Sequence, residues 1–221
     1  QPEGVTESPA ADEIVLQEIK NQKALTQEIM NNPIGELQYP LDCSDVEQCS
    51  TGNILVVALL EHTNGAQIAI AINGHWQNGL KAGVVTQGDL YSANRSAGNP
   101  GRIELTGAQL KQFFVSAFNP ENMQRKIRPL RGRSVGMPHI AGMQIEIEQN
   151  NPENLSLFYN GNPIKAQDKF NVVASDMEYS DILGYLPIPS EQIEYETPIV
   201  LPEIVEEYIR KHSPVGEIKN T

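Results

Sequence analysis

The stretch from residue 54 to residue 72 constrains the fold more than any other part of the chain. Ile54–Leu60 is apolar at nearly every position, so a helix built on it has no face suited to water and is buried on several sides. Ser50 or Thr51 is placed to cap that helix, which runs to about His62. Asn64-Gly65 then turns the chain. Gln67–Ile72 reads as a short apolar strand of the kind found inside a sheet. With 221 residues, the chain can hide roughly 70% of its unfolded surface, enough for a full core without metals or many disulfides.

The remaining elements follow from periodicity and punctuation. Residues 1–11 (QPEGVTESPAA) read as a flexible leader. Ile14, Val15, Ile19, Leu25 and Ile29 recur at helical spacing from Asp12 to Met30, and Asn31-Asn32-Pro33 stops that helix. Residues 34–41 suggest a strand, Asn73–Gly83 a glycine-rich loop, and Gly88–Tyr91 a turn and short helix. Arg102–Leu105 reads as a strand, after which Thr106 caps a helix from Gly107 to Phe118. Asn119–Gly136 is irregular and basic. Met143, Ile145 and Ile147 alternate along a strand at Ala141–Glu148. Leu155–Tyr159, the Asn160-Gly161 turn and Asn162–Ile164 form a hairpin. Phe170–Ala174 is a core strand, residues 187–200 wrap the surface, and Pro202–Lys211 is a closing helix. Helices and strands mingle with no solenoid repeat, so the fold class is α+β, a mixed sheet flanked by helices.

Charge and cysteine content narrow the function. Acids outnumber bases by 28 to 16, a formal net charge of −12, which repels nucleic acid and anionic membranes. No apolar run approaches the roughly 18 residues of a membrane span. Cys43 and Cys49 fit either a disulfide closing a short surface loop or two free surface thiols. The disulfide is the expectation, and it would contribute roughly 2 kcal/mol. There is no C-x-x-C, and His62, His75, His139 and His212 are scattered, so no metal site is assigned. The start at Gln1 without a signal peptide reads as a mature or trimmed product, which points to a periplasmic or extracellular location.

Six segments in order carry a resemblance: "TGNILVVALLEHTNGAQIAIAING", "GVVTQGDLYSA", "IELTGAQLKQF", "HIAGMQIEIE", "YNGNPIKAQDKFNVVASD" and "GYLPI". Together they resemble the C-terminal domain of the 5′-nucleotidase family of secreted nucleotide phosphohydrolases, over residues 36–212. The resemblance implies an amphipathic connecting helix at 12–33 and the domain proper at 34–221. It also implies that catalysis belongs to a separate metallophosphatase domain. The D-x-H and N-H-E motifs of that domain do not occur here. What the C-terminal domain supplies in the family is recognition: two aromatic rings clamp the base and an arginine reaches the nucleotide.

Carried over position by position, those contacts are altered. Asn73 and Gly74 keep the start of the family's glycine motif, but His75-Trp76 replace two glycines. The arginine position falls on Asn78. The first stacking aromatic falls near Met137 and the polar residue two along near His139. The second aromatic falls on Met177 after Asp176. The acid of G-G-D-G-Y becomes Leu183 before Gly184-Tyr185, and P-F-G-N reads Arg95-Ser96-Ala97-Gly98. Each lost stack removes roughly 1–3 kcal/mol, and the lost arginine contact roughly 1.5–3 kcal/mol. The expectation is therefore a non-catalytic module with a degenerate nucleotide site, no cofactor, and another protein subunit as partner. The alternative is the substrate-recognition domain of a nucleotide phosphohydrolase whose metal-bearing half lies on another segment or chain.

Two features suit a partner. Trp76, the sole tryptophan, is either an exposed anchor or packed into the vacated ligand site. Arg125, Lys126, Arg128, Arg131 and Arg133 form a basic run in an acidic protein. That run either binds an anionic partner or pairs with the chain's own acids, such as Glu191, Glu194 and Glu196. Ser96 and Ser175 stand in no visible triad, and no catalytic residue is assigned.

Overall fold

The computed structural model of the chain describes residues 12–148, 151–186 and 188–218. The leader expected at 1–11 lies outside them. The elements in order are α1 (Glu13–Met30), β1 (Pro33–Leu37), α2 (Ser50–His62), β2 (Ile68–Ile72), β3 (Gly83–Thr86), α3 (Gln87–Ala93), β4 (Pro100–Thr106), α4 (Gly107–Ala117), α5 (Pro120–Gln124), β5 (Pro138–Ala141), β6 (Gln144–Glu148), β7 (Asn151–Tyr159), β8 (Asn162–Pro163), β9 (Lys169–Ser175), β10 (Glu194–Tyr195) and α6 (Leu201–His212). Short 3-10 turns stand at Asn73–His75 and Ser190–Gln192.

At the centre is a five-stranded mixed sheet in the order β10-β4-β9-β2-β5. β2 and β9 run parallel, and the other neighbours are antiparallel. Alternation along β2 divides the core. Ile68, Ile70 and Ile72 join Leu105, Phe113, Phe114 and Val172 on the face covered by α4 and β7. Ala69 and Ala71 join Ile54, Leu55 and Leu59 of α2 and Ile204, Val205 and Ile209 of α6 on the other. The small side chains on that face let α2 lie close. A Cβ on its Gly52 would come within 2.4 Å of the His139 ring on β5. Each fully buried Ile, Leu or Phe in these clusters contributes about 1.5–3 kcal/mol.

Several expectations need correcting. Helix α2 begins at Ser50 with Cys49 as its N-cap, and no side chain caps it. Ser50 instead turns to Asp42: its hydroxyl and amide both meet the Asp42 carboxylate. Strand β5 falls just before the strand expected at 141–148, because Pro138–Ala141 has little of the alternation that marks a half-exposed strand. Strand β3 lies in a stretch to which no strand was assigned, and helix α5 interrupts the segment expected to be irregular. The hairpin turn is as expected, with Asn160 at φ 51° and Gly161 at φ 75°.

The expected disulfide is not formed, and Cys43 and Cys49 are both free thiols. Cys49 is buried rather than on a surface loop. Its sulfur lies 3.2 Å from Thr51 Oγ1 and 3.5 Å from Asn73 Oδ1. Polar contacts close the loop in place of a covalent bond. Asn73 Nδ2 donates to Ser44 O at 2.5 Å and to Glu47 O at 3.1 Å, and Arg133 pairs with Asp45. The hydrogen bond between the thiols pulls Cys49 well below the usual thiol range and, with burial, pushes Cys43 up.

No residue of α1 is buried. Asp12 Oδ1 caps it by accepting from the Ile14 amide at 2.8 Å. Its apolar stripe stands in water, with Ile14 80% and Leu25 61% exposed. Among the described residues, no helix is long and apolar enough to cross a membrane.

Candidate functional site

The parallel pairing of β2 with β9 places the carboxyl ends of both strands side by side, the position at which open sheets present ligand sites. The turns that leave the two strands therefore meet in space. The 3-10 turn carries His75 out of β2, and the turn after β9 carries Asp176, Met177 and Glu178.

These turns form part of a cleft of about 190 Å³. Its other walls are residues 95–98 and Pro129–Arg131. The 95–98 wall is pinned from behind, because Leu201 N at the start of α6 donates to Gly98 O at 3.1 Å and Asn99 Nδ2 donates to Ile199 O at 2.6 Å. Arg131 sits in the left-handed region at φ 56°, and its Nη1 donates to Arg95 O at 2.9 Å, tying two walls together.

A buried polar chain underlies the cleft. Ser96 Oγ lies 2.9 Å from His75 Nδ1, and His75 Nε2 lies 3.0 Å from Glu178 Oε1. Glu178 also accepts from the amides of Ile72 (2.9 Å) and Ser175 (3.1 Å) and from the Ser175 hydroxyl. Burial works against the Glu178 charge, but His75 and these donors outweigh it and hold the carboxyl below its usual range. Asp176, beside it, is pushed up by burial and by the Glu178 charge. Two neighbouring acids are thus driven apart in pKa, a pattern found where acid–base roles are divided.

Of the positions carried over from the family, Gly74, His75, Arg95–Gly98, Asp176 and Met177 line this cleft. Asn73 is buried and holds the cysteine loop. Asn78 is exposed, on a groove shared with Leu80 and Lys81. Met137 is half-buried, does not line the cleft, and its amide donates to Asp45 O at 3.1 Å. His139 is buried under α2, where its Nε2 accepts from the Cys49 amide at 2.9 Å. Leu183 and Tyr185 are core residues, and the Tyr185 ring packs edge-on to Phe113 at 5.4 Å. The glycine turn, whose Gly74 and His75 line the cleft, packs on protein at its back. Gly74 N donates to Val135 O at 2.9 Å, and a Cβ there would lie 2.4 Å from Leu130 Cδ1.

The partner candidates separate. Trp76 has no exposed surface and belongs to the core on the α2 face, so it is not an exposed anchor. The basic run does not act as one patch. Arg133 pairs with Asp45 and donates to Gln77 O at 3.2 Å, and Arg125 Nη2 donates to Leu183 O at 2.9 Å. Lys126, Arg128 and Arg131 are exposed, and Arg131 lines the cleft. Of the acids expected as its partners, Glu194 pairs with Arg102 and Glu196 with His62. Among the described residues, no group of three His, Cys, Asp or Glu is placed to hold a metal ion.

Sequence reasoning missed the Ser96–His75–Glu178 chain. Its members are separated by 21 and 103 residues, and only the sheet order brings them together.

Comparison with known proteins agrees with this architecture. The sequence profile of the "5'-nucleotidase, C-terminal domain" family matches residues 30–187. An uncharacterized metallophosphoesterase, YunD, of Bacillus subtilis (strain 168) is 27% identical over 156 residues, which are 68% of this chain and 34% of that protein. The chain therefore spans about a third of the length of this relative. The 5′-nucleotidase precursor of Thermus thermophilus superposes with a TM-score of 0.69 at 16% identity, over 91% of this chain and 41% of that one. The NAD nucleotidase of Haemophilus influenzae gives 0.68 at 15% identity, over 93% and 40%. At such identities the structures speak for the fold, while the profile match covers well over half of the chain. The chain belongs to the family of 5′-nucleotidase C-terminal domains.

Proposed function

We propose that this domain is a binding and assembly module in which the family's nucleotide site is degenerate and which performs no phosphoryl chemistry of its own. One observation carries the reading: of the inherited positions, Gly74, His75, Arg95–Gly98, Asp176 and Met177 line the cleft but none of them is a Phe, Tyr or Trp, while Asn73, His139, Leu183 and Tyr185 are committed to internal packing. The size of the cleft supports it. About 190 Å³ is below the roughly 300–1,000 Å³ of pockets that enclose drug-sized ligands. The test is calorimetric titration of the full chain with AMP and with adenosine. The reading expects no saturable heat up to millimolar ligand, and micromolar binding of either overturns it.

The partner is a second protein or a further segment, and α1 is the element offered to it, because its apolar stripe has no cover. A second reading is favoured by the partial coverage of YunD. In it, the domain is the recognition half of a phosphoesterase whose metal-bearing half lies on the same longer chain or a separate one. Reconstitution with that half separates the two: phosphatase activity that depends on this domain supports the second reading. Export belongs to the proposal through the likeness to secreted enzymes, and cell fractionation tests it.

A further inference from the structure

We infer that Ser96, His75 and Glu178 form a nucleophilic triad in the cleft, suited to acyl transfer from small anionic esters. This goes beyond the binding role and does not depend on it. A hydrolytic triad requires a nucleophile bonded to a base, and the base bonded to an orienting group. Here the Ser96 hydroxyl donates to His75 Nδ1 at 2.9 Å, and His75 Nε2–H donates to Glu178 Oε1 at 3.0 Å. Four donors hold the buried Glu178 carboxylate: the amides of Ile72 and Ser175, the Ser175 hydroxyl and His75. A fixed carboxylate sets the imidazole tautomer that leaves Nδ1 able to take a proton.

Burial is graded along the relay. Glu178 and His75 are 1% and 2% exposed, while Ser96 is half-buried and lines the cleft. The order is the one a reaction needs, with the reacting hydroxyl open and its supports dry. Ser96 is held in place by two local bonds. Its amide donates to Asn94 Oδ1 at 3.0 Å, and its Oγ accepts from Gly98 N at 3.1 Å. Ala97, the next residue on the same wall, has a backbone amide that makes no hydrogen bond among the described residues. Arg95 and Arg131 also line the cleft, against the single carboxylate of Asp176. That balance favours a substrate with negative charge.

In the reaction, Ser96 Oγ forms a bond to the acyl carbon and its proton passes to His75 Nδ1. The tetrahedral adduct collapses, the ester C–O bond breaks, and the leaving alcohol takes the proton from His75. Water then attacks the acyl-serine, gives one proton to His75, and releases the acid as Ser96 recovers its proton.

The full chain incubated with a fluorophosphonate probe tests this, because serine attack on phosphorus expels fluoride and leaves a stable adduct. The expected result, by intact mass and peptide mapping, is one adduct per chain at Ser96. It is lost in Ser96→Ala and slowed at least tenfold in Glu178→Gln, with folding of both checked by circular dichroism. The wild-type protein decides the matter even if a variant does not fold. No adduct at Ser96, or labelling no faster than at the exposed Ser92 outside the cleft, overturns the proposal. So does an unchanged rate in folded Glu178→Gln.

Discussion

Glu178 and Asp176 occupy the same turn and respond to pH in opposite directions. Glu178 has a folded pKa below its unfolded value, so its charge stabilises the fold above the unfolded pKa, and that contribution is lost as pH falls through the folded pKa. Glu178→Gln removes the buried charge and replaces one of the two acceptor oxygens by an NH2 group, so either the His75–Ile72 pair of donors or the Ser175 amide and hydroxyl lose their acceptor, at a cost of about 3 kcal/mol at neutral pH. Urea unfolding of the two proteins should show that gap at pH 7 and a smaller one at pH 3. Asp176 has a folded pKa above its unfolded value, so its charge opposes folding once the pH exceeds the unfolded pKa. Asp176→Asn therefore raises the melting temperature at pH 7, and the gain disappears below about pH 4. A cleft residue that lowers stability is one whose presence asks for another reason. At this scale the sequence was least legible. His75 could be read as a replaced glycine, but its bond to Glu178 depends on β2 and β9 being parallel neighbours.

Elements were far more legible, because caps and periodicity are local. Thr106 was expected to start α4 and does so through a reciprocal box. Its hydroxyl accepts from Gln109 N at 3.2 Å, and Gln109 Oε1 accepts from Thr106 N at 2.9 Å. Thr106→Ala should cost about 1 kcal/mol in a urea melt, with the slope unchanged. Where the reading missed, a tertiary partner had intervened. Ser50 looked like a cap for α2, but Asp42, eight residues earlier, claims it. Cys43 and Cys49 looked like a disulfide by spacing, but Cys49 is drawn under Asn73 and Thr51 and the loop is held by other bonds. Strand β5 has little alternation to read, since three of its four residues are buried.

For the whole molecule, the sheet and its two cores carry the family scaffold. The apolar alternation of β2, β4 and β9 sets the core, and of the ligand positions Leu183 and Tyr185 have become part of it. Helix α1 stands apart from this core. Its nearest approaches are at its end, where Asn32 O accepts from Gln87 N at 2.9 Å and Met30 O packs by Gly88. A chain beginning at Asn31 should keep its melting temperature within about 2 °C, since no apolar side chain of α1 is buried on folding. A larger fall would mean that the stripe already has a partner in solution.

The central claim is that the inherited purine site has been closed and the remaining cleft turned to other use. Crystals of the full chain soaked in adenosine test it most directly. The account predicts no purine in the cleft between His75, Gly98 and Met177, whereas an ordered purine ring stacked on Met177 would contradict it.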